Sequence, residues 1–148
     1  MSAIRNMELG AGGRLMKPGF HDGWLTSIAV SEDKTAAIGL RRFSGERYLL
    51  HLFAVKRLLA NEFKEGNIIL DMVLANGIEP RDMSSFRNIA GEPHPSVVEP
   101  VRGRMEAAIA QNLRDVVEGR SVFVQIEASY GCELACLCGS AEMVAIGD

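Results

Sequence analysis

Short runs of apolar, mostly β-branched residues separated by polar turns fill the stretch from Phe20 to Leu74. Trp24 to Val30 turns at Ser31-Glu32-Asp33-Lys34 and continues as Thr35 to Arg42. Ser44-Gly45-Glu46 leads into Arg47 to Val55, and Asn67 to Leu74 follows. This pattern predicts an antiparallel meander of three or four strands. Side chains two apart share a strand face. Trp24, Ile28 and Val30 are therefore expected on one face of the first strand, and Ala36, Ile38 and Leu40 on one face of the second. The third strand is apolar on both sides, with Leu49, His51, Phe53 and Val55 opposed to Tyr48, Leu50 and Leu52. That predicts a central strand covered twice, with His51 a core histidine. Ile68, Leu70, Met72 and Leu74 give the fourth strand its apolar face. Lys56 to Gly66 reads as a short helical or irregular crossing.

Periodicity disappears from Asn76 to Pro95, a connector long enough to suggest a functional loop, with room for one helical turn capped by Asp82 or Ser84. Helical spacing follows. Val98, Val101, Met105, Ala108, Ile109, Leu113 and Val116 form one stripe, Ser96-Val97-Val98-Glu99 matches a capping box, and Gly119 is placed to end the helix. Ser121 to Glu127, Cys132 to Cys138 and Ala141 to Ile146 predict further strands, with a tight turn at Ala128-Ser129-Tyr130-Gly131. The expected fold is α+β: an antiparallel sheet of about six or seven strands, meander first, with one long helix packed on a face.

Length and composition narrow this picture. The chain has 148 residues, enough for one continuous core, so residues 20–148 are read as a single domain. Residues 1–19, rich in glycine, are read as a flexible or loosely docked arm. Gly10, Gly12 and Gly13 lack the spacing and context of a phosphate-binding loop. Hydrophobic residues make up 47% of the chain, which excludes disorder as its main state. A formal charge of −3 gives no basic footprint for nucleic acid. No apolar run reaches the roughly 20 residues of a membrane span, and no basic-then-apolar leader is present, so the expected location is cytoplasmic and no membrane partner is expected.

Candidate chemistry is sparse. Cys132, Cys136 and Cys138 have the residue types of a metal site, but on a strand residues four apart are about 13 Å apart. Together with Leu134 they share one face and are read as core packing, with no metal and no cofactor expected. No nucleophile elbow is present and no catalytic residue is assigned. The candidate binding residues are His21, Asp22, Asp71 and His94. His21 and Asp22 sit at the lip of the first strand, where an imidazole and a carboxylate can bind, orient or transfer protons. Asp71 lies in an otherwise apolar strand, as does Glu127, and His94 lies between two prolines.

The segments Phe20-His21-Asp22-Gly23-Trp24-Leu25, Ser44-Gly45-Glu46-Arg47-Tyr48-Leu49-Leu50 and Gly66-Asn67-Ile68-Ile69-Leu70-Asp71 resemble small bacterial α+β domains of unassigned function. Some of these are similar to immunity proteins of polymorphic toxin systems. The resemblance implies a binding protein acting on a protein partner. Its acidic balance would suit a basic partner, and the expected contact surface is the 76–95 segment with the strand edges near His21 and Asp22. Slightly positive mean hydropathy leaves room for a homo-oligomer. The alternative is a small enzyme or ligand-binding module with a pocket between helix and sheet, using His21 and Asp22 with His51, Asp71 or Glu127.

Overall fold

A computed structural model of the chain describes residues 2–147. Its main sheet has nine strands: β1 (Ile4–Arg5), β4 (Trp24–Val30), β5 (Ala36–Arg41), β6 (Arg47–Phe53), β7 (Arg57–Asn61), β8 (Asn67–Ala75), β9 (Val122–Tyr130), β10 (Glu133–Cys138) and β11 (Ser140–Ile146). A two-stranded ribbon of β2 (Glu8–Leu9) and β3 (Leu15–Lys17) stands beside it. The helices are α1 (Met83–Ala90) and α2 (Val101–Val117). The α+β class and the antiparallel sheet agree with the sequence reading. The count does not, since there are more strands than six or seven and two helices rather than one. Among the described residues, only β1 on β11 runs parallel.

The sheet also closes on itself. β6 and β7 are successive halves of one bent strand, and β11 and β10 are successive halves of its antiparallel partner. The ladder stays bonded through the bend, where Gly139 N–H donates to Phe53 O at 2.8 Å and Lys56 N–H to Leu137 O at 2.8 Å. Three residues, 54–56, oppose two across this bend, and Ala54 takes φ 51° to make it. Such a bulge sharpens the curvature that closure needs. The ring is β4, β5, β6–β7, β10–β11, β9, β8 and back to β4 through Trp24↔Ile68 and Leu25↔Asn67. An open sheet under a helix, the expected arrangement, is therefore replaced by a barrel with its helices outside.

Alternation fills the barrel. Leu25, Ile38, Leu40, Leu50, Leu52, Met72, Leu74, Val124, Ile126 and Leu134 form its interior, with Cys136, Cys138, Ala141 and Met143 in the same cluster. Fully burying each large aliphatic side chain contributes on the order of 1.5–3 kcal/mol, an upper estimate. The three cysteines, Cys132 included, are buried thiols of this core. Burial pushes the Cys132 thiol up, and Cys136 is pushed up further by a hydrogen bond with the Cys138 thiol and by burial. Leu15 and Phe20 join the same cluster, so residues 4–20 reach the barrel through β1, β3 and these two side chains.

Two strands depart from simple alternation because each carries a bulge. In β4 the register shifts between Leu25 and Ser27, so Leu25 and Ile28 turn inward and Trp24 outward, not to the Ile28 face. Thr26 and Ser27 then share the space over Gly39, where a Cβ would meet Ser27 Oγ at 2.2 Å and Thr26 Oγ1 at 2.7 Å. In β8 the register shifts around Leu70, which leaves Ile69 buried and Leu70 43% exposed. The expected crossing at Lys56 to Gly66 contains β7 instead, whose Leu58 and Ala60 pack on the core. His51 lies on the outer face of β6, stacked on Phe53 and paired in register with Glu142, and is half-buried, not a core histidine.

The helices cover one arc of the outside. Phe86 and Ile89 of α1, with Ile109 and Val116 of α2, pack on Ala75, Phe123 and Leu137, the outward residues of β8, β9 and β10. Asp82 caps α1, accepting from Ser85 N–H at 3.0 Å and Ser85 Oγ–H at 2.8 Å. The capping box expected for α2 is absent. Ser96 Oγ bonds His94 Nδ1 at 2.7 Å, Pro100 takes the N-cap position, and Glu99 accepts Gly103 N–H at 3.2 Å. Val98 is 72% exposed, so the apolar stripe begins later than expected. Gly119, at φ 83°, follows the helix end as predicted.

Candidate functional site

Two surface clusters present themselves, and the first holds most of the residues singled out in the sequence. His21 Nδ1 lies 3.2 Å from Asp22 Oδ2, both side chains more than half exposed. Asp71 projects outward from β8, paired in register with Glu127 on β9. Arg14 Nε donates to Asp71 Oδ1 at 3.2 Å, and Arg81 approaches Asp71 at 3.8 Å and Glu127 at 3.6 Å. His21, Asp71 and Arg14 line one cleft of about 160 Å³ with Leu15, Met16, Gly19, Phe20 and Met72. Asp22 faces its neighbour His21 and is not among the lining residues. His94 stands apart in the connection between the helices, where Arg102 donates to its carbonyl at 2.9 Å. The Asp71 and Glu127 carboxylates are occupied by guanidinium groups, an arrangement that ties the 10–14 turn and the start of the 76–95 segment to the barrel wall. As surface pairs they contribute at most about 1 kcal/mol each.

The second cluster was not anticipated. Trp24, turned outward by the β4 bulge, has the Arg41 guanidinium 4.4 Å over its ring, and Phe43 stacks beside it at 6.4 Å with an interplanar angle of 10°. Across a cleft of about 210 Å³ stand Phe63 and Lys64, the latter 4.9 Å from the Tyr130 ring centroid. Phe43 is 74% exposed, Phe63 50% and Tyr130 45%. Four aromatic rings and two cations thus share one stretch of surface beside the β4–β8 closure.

Asn67 sets this stretch in place. It is 3% exposed and makes four bonds: its Oδ1 accepts from Lys64 N–H at 2.8 Å and Cys132 N–H at 2.9 Å, and its Nδ2 donates to Lys64 O at 2.9 Å and Leu25 O at 3.3 Å. One amide therefore holds the loop carrying Phe63 and Lys64, the β9–β10 turn and β4 together. Gly131 is required beside it, because at φ 84° a Cβ there would lie 2.4 Å from Asn67 Oδ1. The sequence signal for this site is an aromatic residue placed in a polar turn, as Phe43 is before Ser44-Gly45 and Phe63 is between Glu62 and Lys64.

Among the described residues no group of three His, Cys, Asp or Glu side chains is placed to hold a metal ion, and no helix is long and apolar enough to cross a membrane. Comparison with protein-family models finds no match, and neither does comparison with curated proteins or with solved structures.

Proposed function

We propose that this chain is a binding protein that acts on a protein partner, in the manner of an immunity protein, without chemistry of its own, and that Trp24, Arg41, Phe43, Phe63, Lys64 and Tyr130 form its contact surface. The observation that carries the reading is the exposure of aromatic rings with flanking cations along the β4–β8 closure and its adjoining turns. Interface residues that dominate affinity are enriched in Trp, Tyr and Arg, and such rings present large area at little entropic cost. The filled interior supports the same reading, since packed aliphatic and thiol side chains leave function to the outside. Arg41 and Lys64 on this surface favour a partner segment with acidic residues, in place of the basic partner that the overall charge of −3 suggested, and that charge favours proteins over nucleic acids.

The experiment is affinity capture from the native host with the wild-type chain and with a Trp24→Ala/Phe43→Ala double variant. The captured protein is then titrated against both. The double variant should bind roughly 30-fold more weakly, about 2 kcal/mol, as expected for hot-spot aromatics. Equal affinity for both forms would refute the assignment of this surface.

A further inference from the structure

β4 is bonded to β5 along its whole length but to β8 only through Trp24 and Leu25. From Ser27 to Val30 its other side has no strand beside it, and Ala29 and Val30 are exposed, Val30 at 66%. Which groups point outward follows from the hairpin. Ser31 N–H donates to Thr35 O at 2.9 Å, so Ser31 and Thr35 form a hydrogen-bonded pair. Pairs alternate along an antiparallel ladder, which makes Ala29↔Ala37 hydrogen-bonded and Ile28↔Ile38 and Val30↔Ala36 non-bonded. The N–H and C=O groups of Ile28 and Val30 therefore face the open edge.

Proteins ordinarily protect such edges with charge, proline or a bulge. Trp24 to Val30 contains no charged residue and no proline, and its bulge lies before Ser27, leaving Ile28 to Val30 unprotected. The pattern is also complementary to itself. Placed antiparallel about a two-fold axis at Ala29, Ile28 of one chain meets Val30 of a second copy and the reverse, so all four outward groups on each side find partners. Ala29, small and exposed, falls on the axis where side chains come closest. The Glu32-Asp33-Lys34 turn at one end of β4 then comes to the end of the second copy's strand where Lys64 and Glu65 line the cleft beside Thr26, so charges of both signs stand on each side.

We infer that this chain self-associates by pairing the Ser27–Val30 edge of β4 with the same edge of a second copy, joining two barrels through a continuous antiparallel ladder. A strand pair this short lies below the roughly 1,200 Å² of a standard interface, so the association is concentration-dependent and responds to salt through the charges at the two ends of the paired strands. Its ladder uses the backbone of Ile28 and Val30 and not the rings of Trp24 and Phe43, and it shares only Lys64 with the proposed partner surface, so the Ala29 variants test it separately.

The test is sedimentation analysis of the full chain from micromolar to millimolar concentration, alongside Ala29→Asp and Ala29→Lys variants whose melting curves report folding. The wild-type 16.1 kDa chain should double in mass as concentration rises. Each variant alone should stay monomeric, because like charges meet at the axis, and an equimolar mixture of the two should form the dimer again. A wild type that stays monomeric throughout would overturn the inference, and so would a dimer that Ala29→Asp leaves intact.

Discussion

Outward from β8, β9 and β10 point Ala75, Phe123 and Leu137, and two helices bury them. Outward from β4 and β6 point Trp24, Leu49 and Phe53, which belong to neither buried cluster. Both arcs share one interior, so the difference between them is not needed to hold the barrel wall. The covered arc spends its apolar side chains on stability. The bare arc keeps aromatic rings and cations at the surface, with Trp24 on β4 beside Arg41 and Phe43 in the turn that follows β5. The two arcs would respond alike to mutation only if the rings of the bare arc were structural, and several substitutions separate the two cases.

The largest contrast is expected between Phe123→Ala and Phe43→Ala. Phe123 is 2% exposed and meets Phe86 edge-on at 5.4 Å, so truncating it should cost about 3–5 kcal/mol in urea unfolding. Phe43→Ala should lie within about 0.5 kcal/mol of wild type. Equal losses would erase the distinction. Asn67→Ala should fall between, at about 2–3 kcal/mol, because it leaves the Cys132 and Lys64 amides without their acceptor. Hydrogen exchange should quicken at those two amides more than elsewhere in the chain.

Asp82→Ala removes the α1 cap and should cost about 1 kcal/mol near neutral pH. The Ser85 backbone N–H, then its hydroxyl, hold the Asp82 carboxyl below the usual carboxylate range. Its contribution is therefore complete above the unfolded value of about 3.9, and it is lost as pH falls through the lower folded value. The stability gap between Asp82→Ala and wild type should accordingly narrow in acid, and a gap independent of pH would show that the cap is not the cause. The smallest effect concerns the thiols. Cys132, Cys136 and Cys138 are buried, with Cys132 and Cys136 pushed toward the protonated form. Ellman's reagent should react slowly with the native chain and at once with three thiols after unfolding.

Much of the barrel can be read along the chain, because Ala36, Ile38 and Leu40, or Cys136 and Cys138, alternate without interruption. Closure cannot. It depends on the bend at residues 54–56 opposite Gly139, and β7 is hidden by the adjacent Leu58 and Leu59, which break the two-residue period. The bulges at Thr26 and Leu70 each shift alternation by one residue, which sent Trp24 to the wrong face and exposed Leu70. α1 hides in a proline- and glycine-rich connector that has no apolar period longer than two turns. His21 and Asp71 were identified from their residue types, and the structure brings both to one cleft. The aromatic surface draws on positions 24, 43, 63 and 130, which no local pattern connects.

Trp24 is the only tryptophan in the chain and lies in the proposed contact surface against Arg41 and Phe43, so its fluorescence reports on that surface. Titrating the captured partner into the wild-type chain should shift or quench the Trp24 emission along the binding curve. A partner that binds with undiminished affinity while the emission stays unchanged would contradict the account.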